Sequence, residues 1–248
     1  PGLFRFRGEL FGRLLSFGAP AGTELFLNVF AFNMFIQLMH SMGEGVAAAV
    51  TITFNYDMVA FVPMIGLGVA VTAMVGQQMG AGSIDGARKA TMLALRVGYS
   101  YAAVMMALFV FGAGPLVRVF GGGLEAGDAG VLELARAMLR LAAIYTLADI
   151  TQLVFSGALR GAGDTRAVMF ISTVAHWVLA VVAVILIRFL SVPPLAMWLF
   201  FIGFVVILGF AIFWRFHSGH WTRIRLIERE QLREETHRPE VAVEAEWM

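Results

Sequence analysis

The acidic residues that stand inside apolar stretches are the first candidates for chemistry in this sequence. Most of the 17 Asp and Glu residues fall in polar links or near the C-terminus, but Glu24, Asp57 and Asp149 are surrounded by hydrophobic residues. A carboxylate in the centre of a bilayer costs about 3 kcal/mol on insertion scales, so it normally faces a bundle interior or a water-filled cavity. The neighbours of each carboxylate indicate what it does there.

The clearest pattern surrounds Asp149. Four polar residues are spaced by four, three and four positions and therefore share one helical face: Tyr145, Asp149, Gln152 and Ser156. A phenol one turn before a carboxylate can donate a hydrogen bond to it and tune its affinity for a cation. We predict that Asp149, oriented by Tyr145, binds Na⁺ or H⁺, with Gln152 lining the same cavity. A buried aspartate satisfied by Tyr145 and Gln152, without ion traffic, is the alternative.

A second polar stripe contains Glu24. Its members are four positions apart and share one helical face: Ser16, Pro20, Glu24 and Asn28. Pro20 leaves the carbonyl of Ser16 without its helical donor, and a free carbonyl one turn from a carboxylate suits a small cation. Glu24 is predicted to bind a cation or proton, and Asn28 to line the cavity. The alternative is a kinked helix that packs its polar stripe against a neighbour.

Asn55 and Asp57 are further cavity-lining candidates. They are two positions apart, about 200° around a helix, so both cannot face one cavity. Tyr56-Asp57 and the tetrad at 161–164 also resemble the two aspartate motifs of intramembrane aspartyl proteases. Asp164, however, lies in a polar turn between Arg160 and Arg166, where it is expected to cap the next helix or pair with those arginines. An enzyme is therefore not expected.

The composition is that of a membrane protein. Of 248 residues, 59% are hydrophobic and 14% charged, and the mean hydropathy is +0.80; soluble domains are about 25% charged. The absence of cysteine excludes thiolate metal sites and catalytic thiols, and a net charge of +1 with dispersed basic residues argues against nucleic acid as a partner. The sequence predicts an all-α polytopic protein whose main partner is the lipid bilayer, with no cofactor beyond a bound cation.

Six stretches are long enough to span a bilayer, which takes about 20 apolar residues. They are roughly 12–39, 46–78, 90–117, 135–159, 167–190 and 194–216. We therefore predict one six-helix transmembrane domain over 1–217 and a charged cytoplasmic tail over 218–248.

The basic residues predict the orientation, because cytoplasmic loops are rich in Lys and Arg. One side holds Arg5, Arg7, Arg13, Arg88, Lys89, Arg160, Arg166, Arg215, Arg223, Arg225, Arg229, Arg233 and Arg238. The other side holds Arg118 and Arg188, with Arg136 and Arg140 at the start of the fourth span. Both termini are therefore predicted to lie in the cytoplasm of a multi-pass protein of the plasma membrane, which in a bacterium is the inner membrane.

Two motifs resemble the multidrug and toxin extrusion (MATE) family, and the resemblance runs from about residue 14 to residue 215. IYTLADITQLVFSGALRGAGDTR at 144–166 is similar to the family's tenth helix and the loop after it. FVPMIGLGVAVTAMVGQQMGAG at 61–82 is similar to the eighth helix and its exit. By this resemblance the chain is the C-terminal six-helix lobe of a twelve-helix transporter.

The resemblance also implies a function: export of amphipathic, often cationic, organic compounds, coupled to Na⁺ or H⁺. Tyr145 and Asp149 match family residues at the coupling site. The family's seventh helix often carries an acid eight positions after its proline, where this chain has Asn28, while Glu24 stands one turn nearer Pro20. The implied partner is an N-terminal six-helix lobe, either in the same chain, if this sequence is a fragment, or in a second copy.

Two other functions stay open at this stage. A related flippase for lipid-linked or polysaccharide precursors would need a more basic cavity, and Arg96, Arg136 and Arg140 are the candidates near the spans. A natural half-length protein would have to form a homodimer, in which a second copy replaces the missing lobe.

Overall fold

The computed structural model describes residues 8–120 and 129–224, which are helical apart from short turns. The helices are α1 (Gly8–His40), α2 (Glu44–Gly80), α3 (Ile84–Phe111), α4 (Ala113–Phe120), α5 (Ala129–Gly161), α6 (Thr165–Arg188) and α7 (Pro194–His217). All except α4 are long and apolar enough to cross a membrane. The predicted all-α fold is confirmed, and the chain is a multi-pass membrane protein.

The predicted span 90–117 is wrong in one respect, because the structure divides it between α3 and α4. The helices meet at Gly112, whose N–H still donates to the carbonyl of Leu108 at 2.8 Å. Pro115 then lies in the first turn of α4 and has no N–H to donate to the carbonyl of Phe111. The hydropathy pattern does not predict this break, because the residues on both sides of it are apolar.

The two ends of the bundle differ in charge. We call the end with the α2–α3 and α5–α6 turns the arginine-rich end. Its described basic residues are Arg88, Lys89, Arg160, Arg166, Arg215 and Arg223. The opposite end, with the α1–α2 and α6–α7 turns, carries Arg118 and Arg188, with Arg136 and Arg140 near the start of α5. This asymmetry is the one that the sequence predicts, and the side of the membrane that each end faces stays a prediction.

Helix α5 is the centre of the bundle and packs against α2, α3 and α7, while α1 packs mainly against α6 and α2. Near the opposite end, the core is an aromatic cluster around Phe201, with Trp198 and Phe54. Near the arginine-rich end, the core contains Phe155 and Phe216. One buried core therefore fills each half of the bundle, and α5 contributes to both.

A short helical turn at 221–224 folds the chain back under the bundle after α7. The Trp221 ring is buried and stacks on Phe216 at a centroid distance of 5.0 Å. Its indole N–H donates to the carbonyl of Phe216 at 2.8 Å. Trp221, the fourth residue of the predicted tail, therefore packs on the membrane domain. Residues 225–248 lie outside the described ranges.

Helices α2 and α5 touch backbone to backbone near the arginine-rich end. A Cβ on Gly157 would collide with the carbonyl oxygen of Gly68, and a Cβ on Gly161 would collide with that of Thr72. In a bilayer, helices associate through small residues that allow such close approach. We call these positions the glycine contact, because they let the backbones of α2 and α5 touch at this level.

Candidate functional site

Three polar side chains meet between α2 and α5, near the middle of both helices. The Tyr145 hydroxyl donates to Oδ1 of Asp57 at 2.9 Å, and Asp149 lies one turn after Tyr145 on α5. The carboxylates of Asp57 and Asp149 are close enough to repel each other. We call Asp57, Tyr145 and Asp149 the acidic cluster.

Aromatic packing fixes the Tyr145 hydroxyl in this cluster. The Tyr145 ring is 1% exposed and makes edge contacts with Phe201 at 5.6 Å and Trp198 at 6.5 Å. The prediction that Tyr145 bonds to Asp149 is wrong, because the hydroxyl reaches across to α2. The ring contacts with Trp198 and Phe201 of α7 hold the phenol in an orientation in which its hydroxyl meets Asp57 of α2.

The acidic cluster has no cation among its described neighbours. None of the described Arg, Lys or His side chains forms an ion pair with Asp57 or Asp149. A proton or a monovalent cation held between the two carboxylates would offset their repulsion. The oxygen atoms of two carboxylates and a phenol suit a hard cation. Within the described ranges, no group of three or more His, Cys, Asp or Glu residues is arranged to hold a metal ion.

The remaining cavity candidates on α2 and α5 lie around this cluster. Asn55 is exposed and its amide donates to the carbonyl of Thr51 on its own helix at 2.9 Å. Asp57 instead accepts from Tyr145 of α5, so the two side chains have different neighbours, and which of them lines a cavity stays a prediction. Gln152 is half-buried, and its amide lies 3.4 Å from the hydroxyl of Ser156, further along α5.

Glu24 lies apart from the acidic cluster, in an ion pair with Arg160. The Glu24 carboxylate is 3% exposed and accepts from the Arg160 guanidinium at 2.7 Å. Arg160 follows Asp149 by eleven residues, about 16 Å along α5. One turn after Glu24, the side-chain oxygen of Asn28 is buried without a hydrogen-bond partner in the described chain. A cation-binding role for Glu24 stays a prediction.

Asp164 forms the second buried ion pair. Two parallel bonds join it to Arg215, at 2.7 Å from Nε and 3.1 Å from Nη2. The predicted partners, Arg160 and Arg166, are therefore wrong, and Asp164 makes no side-chain cap at the start of α6. Because Asp57 and Asp164 contact different partners, they do not form the aspartate dyad that a protease needs.

Sequence reasoning missed the two contacts between helices that distinguish these carboxylates. The sequence pattern predicts Asp57 only as a cavity-lining residue, although it shares the acidic cluster, and predicts Asp164 rather than Glu24 as a partner of Arg160. A buried carboxylate in a span requires a partner, which is the signal that a cation should be sought for Glu24. Spacing along the chain could not identify that cation, because Arg160 is on a different helix.

Comparison with known proteins gives a consistent result. The MatE family model matches residues 20–186. Probable multidrug resistance protein NorM of Pasteurella multocida is 33% identical over 201 residues, which cover 80% of this chain and 42% of that protein. Multidrug resistance protein MdtK of Edwardsiella ictaluri is 31% identical over 196 residues, covering 78% and 42%.

Solved transporter structures share the fold. A MOP superfamily transporter from Pyrococcus furiosus superposes with a TM-score of 0.76 at 15% identity, covering 92% of this chain and 49% of that one. A multidrug resistance MATE family transporter in its outward-facing conformation gives 0.75 at 17% identity, covering 93% and 49%. The chain thus spans about half the length of the proteins that it matches.

Proposed function

The chain belongs to the MatE family, and on that premise we propose that it is the C-terminal lobe of a multidrug exporter driven by Na⁺ or H⁺. The membrane domain is residues 1–217, and 218–248 is its cytoplasmic tail. The other lobe supplies the second wall of the transport cavity, either from the same polypeptide or from a second copy. Both termini lie in the cytoplasm, in the inner membrane of a bacterium.

The observation that carries this proposal is the acidic cluster. Two carboxylates from different helices lie together in the membrane without a cationic side chain among the described residues, and a fixed phenol holds one of them. When a cation or proton leaves, the carboxylates repel and favour separation of α2 from α5 at that depth. When it returns, the closer packing is favoured again. A ligand that binds one packing better than the other shifts the equilibrium between them.

The names of the relatives refer to multidrug resistance, and we propose that the substrates are amphipathic, often cationic, organic compounds. An organic cation and the coupling ion are both attracted by the same unpaired carboxylates. Export then follows from competition, because the bound ion neutralises the charge that would retain the drug. Gln152 and Asn28 are the polar residues beside this path.

The test is Asp149→Asn in the full-length protein, with Asp85→Asn as the matched control. Asp85 is an exposed aspartate in the first turn of α3, far from the acidic cluster. We expect Asp149→Asn to reduce drug efflux to the level of cells without the transporter, with normal membrane insertion, and Asp85→Asn to leave efflux unchanged. Normal efflux in Asp149→Asn would remove Asp149 from the mechanism.

Proteoliposomes then identify the coupling ion. Efflux is measured first under an imposed Na⁺ gradient without a pH gradient, and then under an imposed pH gradient without a Na⁺ gradient. The gradient that drives efflux in the unmodified protein and fails in Asp149→Asn identifies the ion. If neither gradient drives transport, the proposed coupling is wrong.

A further inference from the structure

Arg96 is an exposed cation within the membrane-spanning helix α3. Arg96 is the thirteenth of the 28 residues of α3, so about three turns of helix precede it and about four follow it. The described residues offer Arg96 no ion-pair partner. An arginine inside a span is expensive unless it has a partner or reaches the interface. Arg96 is therefore expected to reach the interface, where an anion from outside the described chain can pair with it.

Hydroxyl groups lie one turn from Arg96 on the same side of α3. Tyr99 and Ser100 follow it by three and four positions and are exposed like Arg96. The hydroxyl of Tyr99 is 2.9 Å from that of Thr151 on α5. This contact places Arg96 beside the surface of α5.

A groove between α5 and α7 begins at this hydroxyl pair. It has a volume of about 280 Å³ and is lined by Ala148, Thr151, Val206, Gly209, Phe210 and Phe213. Gly209 brings α7 against the backbone of α5, since a Cβ there would lie 3.0 Å from the carbonyl oxygen of Ala148. Apart from the hydroxyl of Thr151, the side chains that line the groove are apolar.

The groove faces away from the acidic cluster. Thr151 and Asp149 are two positions apart on α5, about 200° around the helix axis. Side chains on α3 tilt toward its N-terminus, so Arg96 points toward the arginine-rich end, where lipid headgroups of that leaflet lie. The groove continues from this level toward the bilayer centre, which is the direction of an acyl chain.

We propose that Arg96 and the α5–α7 groove bind an anionic phospholipid of the leaflet at the arginine-rich end. The phosphate pairs with the Arg96 guanidinium, and one acyl chain occupies the groove beside Phe210. The unpaired cation in the span selects an anionic lipid over a zwitterionic one. This site is separate from the proposed transport site and does not depend on it.

The test uses a photo-crosslinker in the groove. Phe210→p-benzoylphenylalanine is introduced into the full-length protein, which is reconstituted in vesicles containing phosphatidylglycerol and phosphatidylcholine in equal amounts. After illumination, mass spectrometry identifies the molecule attached at position 210. We expect a phosphatidylglycerol adduct in excess over phosphatidylcholine.

Paired variants separate the two parts of the site. Arg96→Gln should lower the phosphatidylglycerol adduct about fivefold, the factor for one basic residue near an anionic surface, while Arg96→Lys and Arg118→Gln retain it. Val206→Trp should fill the groove and lower the adduct, while Ile207→Trp, on the adjacent exposed position outside the groove, should not. Equal labelling by both lipids, an adduct unchanged by Arg96→Gln, or attachment to a protein segment would each overturn the proposal.

Discussion

Two regions of this molecule bury a carboxylate in the membrane in opposite ways. At the arginine-rich end, Glu24 of α1 is paired with Arg160 of α5 at 2.7 Å. Near the middle of the bundle, Asp57 of α2 and Asp149 of α5 lie together, and within the described ranges no cationic side chain pairs with either. A tyrosine hydroxyl bonds to Asp57. Helix α5 provides one member of each pair.

The difference shows that an intramembrane acid is identified by its partner. An ion pair already has its compensating charge, so it joins helices. Two carboxylates that repel each other require a mobile charge, and they can therefore respond to ion gradients. Glu24 and Asp149 have the same chemistry in the sequence, and only the contacts between helices separate the structural carboxylate from the one available for coupling.

The largest expected effect comes from removing the arginine of the structural pair. Arg160→Gln leaves Glu24 buried without its cation and should lower the free energy of unfolding by about 3 kcal/mol, the lower end of the range for a broken buried pair because the Arg160 side chain is 37% exposed. Unfolding in detergent measures it. The double variant Glu24→Gln/Arg160→Gln should recover most of the loss, and Arg88→Gln should change little. If Arg160→Gln were as stable as the unmodified protein, Glu24 would not be a structural carboxylate that depends on its cation.

The next effect comes from the glycine contact between α2 and α5, the two helices that carry the acidic cluster. Gly157→Ala places a methyl group against the carbonyl of Gly68 and should lower the free energy of unfolding by about 2 kcal/mol, as overpacking does. Efflux should fall as well, since α2 carries Asp57. Gly203→Ala on α7 is the control, because a Cβ there meets nothing within 4 Å. An equal response of both variants would show that α2 and α5 tolerate separation.

A double-mutant cycle tests the repulsion within the acidic cluster. At high pH and without Na⁺, where neither a proton nor a cation offsets the repulsion, Asp57→Asn and Asp149→Asn should each raise the free energy of unfolding. Each removes one of two repelling charges, and an amide oxygen at 57 still accepts from Tyr145. The double variant should gain less than the sum of the two, with a coupling of about 1 kcal/mol. Glu24→Gln should instead lower the free energy of unfolding, because it removes the negative partner of Arg160. Additive effects would mean that the two carboxylates do not interact.

The smallest effect is expected at the neighbour of Asp57. Asn55→Ala removes an exposed amide that bonds only to its own helix, so stability should stay within about 0.5 kcal/mol and efflux should be unchanged. Asp57→Asn, two positions away, should abolish efflux. A strong efflux defect in Asn55→Ala would extend the functional surface to the other face of α2.

The sequence predicts most of the fold, because each long apolar run needs a helix of bilayer length and polar links separate the runs. It predicts the face shared by Tyr145 and Asp149 for the same local reason: helical spacing. It does not predict the break at Gly112, where apolar residues continue on both sides. Nor does it predict that Asp57 meets Asp149, or that Arg160 meets Glu24. Those contacts depend on which helices pack together and at what depth, and glycines set that depth by allowing backbone contact.

The glycine contact also has a genetic consequence. Every first- or second-position base change in a glycine codon that does not create a stop codon replaces glycine and adds at least one heavy atom, and at Gly157 and Gly161 that atom meets backbone on α2. Third-position changes in a glycine codon are all silent. In a library of random nucleotide changes, the clones in which α2 and α5 stay in contact should therefore carry almost only synonymous changes at these two codons.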